Sequence, residues 1–270
     1  MKDLALKPLL VQVKAILTEA IDLAKRVRPS EATKKAHQDY VTDVDMAVDA
    51  FLESRLSALI PTCPVLSEER AVVHNGPLDR YWIVDPIDGT MNLLAGLPFV
   101  GICVALANAH GPQLAAVASI SDGAIFSAIK GDGAFCDGKR LQLVAPPGDL
   151  IVLSTGLLDQ LMNGHADAYG ALRRIGKIRN LGAQALHLCG VASGQFAAVA
   201  SLEAQLWDEA AGGLILREAG GYWQAASDQA DWSQPQAMMA IRQQRSIAAH
   251  PAVFEDFRIA LSPLFERPKG

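Results

Sequence analysis

The chain has few of the features that would tie it to a membrane, a disulfide scaffold or a nucleic acid. Its four cysteines, Cys63, Cys103, Cys136 and Cys189, are scattered over 270 residues and form no Cys-x-x-Cys pair. That spacing gives neither a zinc site nor a disulfide framework, so reduced core thiols in a cytoplasmic protein are expected. The longest apolar stretch, Leu97 to Ala107, is too short to span a bilayer. The N-terminus, broken by Asp3, Lys7 and Pro8, has no signal-peptide core. Basic residues never gather more densely than Lys34-Lys35 or Arg173-Arg174, and the formal net charge is −5. This argues against a nucleic-acid polymer or a membrane surface as partner. No Pro/Gly/Ser-rich linker, internal repeat or low-complexity tract divides the chain. One domain over residues 1–270 is expected, with approximate halves 1–150 and 151–270.

What is present begins with helical periodicity. Leu4, Leu9, Val13, Ile16, Leu17, Ala20 and Leu23-Ala24 predict a long amphipathic helix that fades near Val27-Arg28-Pro29. A second helix is expected from Asp43 to Leu59, closed by Pro61. Short β-rich runs follow at 64–66, 81–84, 99–106, 114–120, 124–129 and 134–135, several parted by Gly-Asp or Asp-Gly turns. They read as one meandering, largely antiparallel sheet. Beyond a strand at 151–154, helices are expected at 157–172, 183–192 and 208–219 and a strand at 196–200, with Gly220-Gly221 as a stop signal. Helices first, a sheet-rich middle and a mixed second half predict a layered α/β or α+β architecture.

Four acidic segments carry the chemistry: Asp39 to Asp45, Ser67-Glu68-Glu69-Arg70, Asp85-Pro86-Ile87-Asp88-Gly89-Thr90, and Trp207-Asp208-Glu209-Ala210-Ala211-Gly212. The third follows the apolar run Tyr81 to Val84, and the exit of a buried strand is where α/β enzymes place their sites. A turn opening on Asp-Pro, with the Ile87 carbonyl nearby, lets Asp85 and Asp88 fold toward one point and form an oxygen-rich cup for a hard cation. Gly89 removes bulk where a ligand approaches, and a helix starting at Thr90 would face its N–H groups toward an anion. A plain polar turn with Thr90 as cap is the competing reading of the same residues. Asp208 could likewise do no more than cap its helix. Asp43, Asp45 and Asp49 imitate part of a calcium loop. Val48 stands where that loop needs glycine and Ser54 where it needs glutamate, which excludes it.

Together these segments resemble the inositol monophosphatase family of lithium-sensitive, magnesium-dependent phosphatases, over roughly Val11 to Ala219. The first family signature is matched by Glu68-Glu69 and by Trp82 to Asn92, the second by Trp207 to Gly212 and Glu218 to Gly221. The resemblance implies a layered αβαβα sandwich of the type shared with fructose-1,6-bisphosphatase. It implies that Glu68, Asp85 and the Ile87 carbonyl hold one Mg²⁺, that Asp85, Asp88 and Asp208 hold a second, and that Glu68 helps hold a third through water. It further implies that Thr90, backed by Asp45, orients the attacking water together with Glu68, and that the Gly89 and Thr90 amides bind phosphate. Lys34 would lie near the metal and phosphate site. A small phosphorylated substrate, inhibition by Li⁺ and a homodimer are implied as well. The charges argue independently for cations: four carboxylates and a phosphate monoester repel each other unless divalent ions intervene.

Haloacid-dehalogenase-type phosphatases place two acids two positions apart with the first as covalent nucleophile, whereas Asp85 and Asp88 are three apart. A regulatory scaffold that keeps the metal site is the non-enzymatic alternative. For substrate, Asn92, Leu97 to Val100 and Gly131 to Gly138 favour the inositol-1-phosphate type. Pro64 to Glu69 is similar to the 3′(2′),5′-bisphosphate nucleotidases, and sugar-phosphate or histidinol-phosphate phosphatases are further relatives. Relatives acting on inositol carry a glutamate seven residues before the second signature's aspartate, and here that position is Ser201. Glu203 could turn inward to replace it only from about 6–7 Å away along a strand. Gln184 and His187 are read as ordinary helix positions.

Overall fold

A computed structural model describes residues 5–27, 32–36, 39–70, 76–143, 148–229, 231–234, 239–240 and 245–265, without the side chains of 32, 34–36, 39 and 229. The expected helix start at Leu4 lies outside these residues. Helix α1 runs Leu6–Arg26 and buries Leu9, Leu10, Val13, Ile16, Leu17, Ala20, Ile21 and Ala24 along one stripe. Strands β1 (Ala32–Ala36) and β2 (Asp39–Thr42) form a small hairpin. Helix α2 (Asp43–Leu59) follows, started by the Thr42 side chain, which accepts from the Val44 and Asp45 amides.

A seven-stranded sheet occupies the next stretch: β3 (Val65–Ser67), β4 (Arg80–Asp88), β5 (Gly101–Asn108), β6 (Gly111–Ser119), β7 (Ile125–Ile129), β8 (Gly133–Cys136) and β9 (Lys139–Leu141). Their order across the sheet is their order in the chain; β3 and β4 are parallel and each later neighbouring pair is antiparallel. The short helix α3 (Thr90–Ala95) lies between β4 and β5. A second, mixed sheet has the order β11-β10-β12-β14-β13, from β10 (Leu150–Leu153), β11 (Lys177–Arg179), β12 (Ala198–Ser201), β13 (Tyr222–Gln224) and β14 (Ser246–Ala249). Helices α4 (Thr155–Met162), α5 (Ala166–Ile175), α6 (Gln184–Ala192), α7 (Leu206–Glu218) and α8 (Phe254–Phe265), with a short 3₁₀ helix at Ala226–Gln229, are also present.

Alternation along the strands sets the layers. In β4, Trp82 and Val84 join α1 and α2 in one apolar cluster, while Tyr81 and Ile83 join α6 and α7 in another. That second cluster continues into Val152, Val199 and Ala248 of the other sheet. The outer face of that sheet packs on α4, α5 and α8 through Leu157, Leu161, Leu172, Phe257 and Leu261. The result is helix, sheet, helix, sheet, helix, as the resemblance implies. Cys63, Cys103 and Cys189 are buried, Cys136 is half-buried, and all four are free thiols.

Two expectations need correction. The single helix at 157–172 is two, α4 and α5, because Asn163-Gly164 interrupts it, with Gly164 at φ +112°. The turn after Val84 is instead a bulge inside β4. Asp85 pairs with Cys103 and Asp88 with Gly101, so three steps on β4 face two on β5. Pro86 has no N–H for the ladder. In a regular strand, residues three apart face opposite sides; the extra residue cancels that alternation between Asp85 and Asp88.

Candidate metal and phosphate site

The site lies where β4, α2, α6 and α7 meet. Asp85 and Asp88 are buried near the end of β4, and Asp85 Oδ1 accepts from the Ile87 amide at 2.9 Å. Glu68 follows β3, its amide donating to Val84 O at 3.2 Å beside the same strand. Asp208 stands in the first turn of α7, where its Oδ2 accepts from the Gln205 amide at 2.7 Å. One carboxylate oxygen each from Glu68, Asp85 and Asp208 falls within 4.8 Å of the other two. Hard, anionic oxygens at this spacing suit Mg²⁺, so the donor set fits the implied ion.

Asp88 stands slightly apart. It is not in that mutual set; its Oδ1 accepts from the Gln184 amide at 3.0 Å and its Oδ2 from the Ala185 amide at 2.7 Å, both at the start of α6. Burial pushes Asp88 up to about 7 despite the amides of Ala185, Gln184 and Leu186. Asp85 is raised well above the usual carboxylate range, first by burial and then by the charges of Glu68, Asp88 and Asp208. Asp208 is raised by burial and by Asp88 and Glu68. These are acids held too close together in too dry a place to ionise comfortably without a cation.

Thr90 opens α3, and its Oγ1 donates to Asp45 Oδ1 at 2.9 Å. The other oxygen of Asp45 accepts from the Thr42 amide at 2.9 Å and from the Thr42 hydroxyl. The side chain of Lys34 lies outside the described residues, although its backbone pairs with Tyr40 in the hairpin. Gly89 has φ +97°, and a Cβ there would sit 3.0 Å from Phe99 O and 3.1 Å from Gly182 O.

Sequence reasoning placed the acids and missed what holds them. Asp49 accepts from Ser67 Oγ at 2.5 Å and from Arg70 Nε at 2.7 Å, pinning the Glu68 loop to α2. Arg70, the last residue of Ser67-Glu68-Glu69-Arg70, is the sequence signal for this tie. Glu203 does not turn inward: its Oε2 accepts from the Gly156 amide at 2.9 Å at the start of α4. Ser201 Oγ accepts from the Glu203 and Ala204 amides and closes its own turn.

Residues 5–262 match the model of the inositol monophosphatase family. An inositol-1-monophosphatase of Rhizobium meliloti is 32% identical over 220 residues, covering 78% of this chain and 83% of the relative. The Nus factor SuhB of Haemophilus influenzae is 32% identical over 198 residues, covering 71% and 73%. Among solved structures, an IMPase/NADP phosphatase complexed with NADP and Ca²⁺ superposes with a TM-score of 0.79 at 25% identity, covering 99% of this chain and 98% of that one.

Proposed function

We propose that this chain, which belongs to the inositol monophosphatase family, is a Mg²⁺-dependent phosphomonoesterase that uses water as nucleophile and forms no phosphoenzyme. The observation that carries the reading is the convergence of Glu68, Asp85 and Asp208, brought together from two signatures more than a hundred positions apart. Glu68, Asp85 and the Ile87 carbonyl would hold one ion, and Asp85, Asp88 and Asp208 a second, with Glu68 reaching a third through water. When bound, the ions supply charge neutralisation and Lewis acidity at the phosphoryl group.

The chain's own residues do the rest. Thr90 has one hydroxyl proton, and Asp45 Oδ1 at 2.9 Å is a nearer acceptor for it than Ile87 O at 3.2 Å. The Thr90 oxygen is then left to accept from a water, whose proton can pass through Thr90 to Asp45 as the water attacks phosphorus and the ester P–O bond breaks, the leaving alkoxide taking its proton from solvent water. Glu68 orients the same water. The Gly89 and Thr90 amides, with Lys34, would bind the phosphate.

The first substrate class is an inositol-1-phosphate-like monoester. A 3′-phosphonucleotide such as 3′-phosphoadenosine 5′-phosphate is second, favoured by Ser201 and by the engagement of Glu203 elsewhere. Inhibition by Li⁺, a homodimer and a cytoplasmic location go with the reading. The test is phosphate release from inositol 1-phosphate, 3′-phosphoadenosine 5′-phosphate, fructose 1,6-bisphosphate, histidinol phosphate and NADP, with Mg²⁺ and with EDTA. Mg²⁺-dependent release that Asp85→Asn abolishes is expected. Silence across the panel from a folded, Mg²⁺-loaded protein would favour the scaffold reading, to which the name of the Haemophilus relative as a Nus factor lends support.

A further inference from the structure

Asp88 is held from outside its own strand. Both of its oxygens are taken by the first amides of α6, so whatever fixes that turn fixes Asp88. Ala183, the residue that begins the helix, supplies no side-chain cap. The Gln184 side chain reaches sideways instead: Nε2 donates to Glu209 Oε1 on α7 at 2.7 Å, and Oε1 meets His187 Nδ1 at 3.1 Å. An amide oxygen only accepts, so His187 Nδ1 carries the proton. Glu209 is fully buried, directly follows Asp208, and also accepts from the Ser246 hydroxyl on β14. A carboxyl group wholly removed from water costs stability that an alanine would avoid, and its ties to Gln184 and Ser246 are what it provides in return. The clamp has no slack: a Cβ at Gly212 of α7 would lie 2.9 Å from Leu188 Cβ and 3.1 Å from Ala185 O of α6.

We propose that Gln184 and Glu209 are positioning residues that clamp α6 to α7, fix Asp88 relative to Asp208, and thereby set the affinity of the acidic pocket for a divalent cation. The clamp rests on the metal reading above. Neither residue touches the ion or the substrate in this scheme. Gln184→Ala keeps the backbone donors to Asp88, so any effect comes from the lost tether alone.

Mn²⁺ is the probe, titrated into the full-length protein by calorimetry. Gln184→Ala and Glu209→Ala are expected to weaken Mn²⁺ binding by about 10- to 100-fold. Their Mg²⁺ requirement for half-maximal phosphate release rises, while kcat at saturating Mg²⁺ is kept. Glu209→Gln, which retains an acceptor for Gln184 and Ser246, should bind Mn²⁺ close to the parent. Leu157→Ala, in the core beneath α4, should lower Tm without changing Mn²⁺ affinity, separating clamp loss from general loosening. Folded Gln184→Ala and Glu209→Ala proteins with parental Mn²⁺ affinity overturn the clamp and leave the metal site standing. A parent that binds no Mn²⁺ overturns both. Should Glu209→Ala fail to fold, the half-buried Gln184→Ala decides alone.

Discussion

Asp45 and Asp49 sit one turn apart on α2, and each reaches a different wall of the site: Asp45 accepts from Thr90 Oγ1 at 2.9 Å, Asp49 from Ser67 Oγ at 2.5 Å. Residues four apart share a helix face, so one buried edge of α2 steadies both the proposed proton path and the loop that carries Glu68. Both aspartates are buried, as a supporting role requires.

Asp45→Asn tests the first arm. The amide keeps an oxygen for the Thr42 cap but cannot take a proton from Thr90. kcat is expected to fall about 10²- to 10⁴-fold, the range for loss of a general base, with little change in Tm. Asp45→Ala should add loss of the cap interaction, about 1 kcal/mol of stability. Steady-state kinetics at saturating Mg²⁺ with parallel thermal melts separate the two, and an Asp45→Asn enzyme at parental kcat would remove Asp45 from the proton path.

Gly89→Ala should be destabilising by about 1–3 kcal/mol, because φ +97° is a conformation that L side chains rarely adopt. Crowding adds to the strain. The atoms a methyl would meet at 3.0 and 3.1 Å are the backbone oxygens of Phe99 and Gly182, which cannot swing aside as a side chain would. Phe99 O is also fixed by Asn92 Nδ2 at 2.8 Å. Chemical denaturation checks this, and a midpoint equal to the parent's would mean the loop yields freely.

Much of this was legible because the signals were local. The apolar stripe from Leu9 to Ala24 and the Thr42 to Leu59 segment carry their periodicity and cap in consecutive residues, and α1 and α2 appear where expected. The β-meander was readable because each strand pairs with its chain neighbour. The second sheet was only partly readable: β14 sits between β12 and β13, and β11, β13 and β14 are short strands defined by partners far away in the chain. The bulge at Asp85–Asp88 was hidden for a similar reason, since Pro86 signals a turn as strongly as it signals an interrupted ladder. The acids were visible as motifs; the amides of Gln184 and Ala185 that hold Asp88 carry no side-chain signature at all.

The metal-free protein should lose stability as pH rises from about 6.5 to about 8. Burial raises Asp88 to about 7 and Glu209 to about 8, and Asp85 and Asp208 are also held above the usual range. In this window the folded chain keeps protons that the unfolded chain, with carboxylates near 4, has released, so unfolding is favoured as pH climbs. His187, lowered to about 3 by burial, acts in the opposite direction but only below its unfolded value of about 6.5. Mg²⁺ favours the ionised acids and should therefore raise Tm more at pH 8 than at pH 6.5. Melting curves in EDTA and in Mg²⁺ across this range supply the check; a flat or rising EDTA profile contradicts the sign.

Arg70 is where stability and metal binding should part company. Its Nε donates to Asp49 Oδ2 at 2.7 Å, its Nη2 to Asp49 O at 2.9 Å, and its Nη1 pairs with Glu53 at 2.5 Å. Arg70→Ala leaves Asp49 buried with Ser67 as its remaining side-chain donor. The guanidinium is a quarter exposed, so the cost should be about 2 kcal/mol, less than the 3–5 kcal/mol of breaking a fully buried pair. Arg70→Lys restores the charge but not the planar fork that grips side chain and backbone together. It should therefore recover part of the stability while the loop bearing Glu68 stays loose. The expected signature is a Tm between parent and Arg70→Ala, with Mn²⁺ affinity nearly as poor as in Arg70→Ala. If Arg70→Lys recovers metal affinity and stability in step, the fork does nothing beyond supplying charge, and Glu68 is positioned by other contacts.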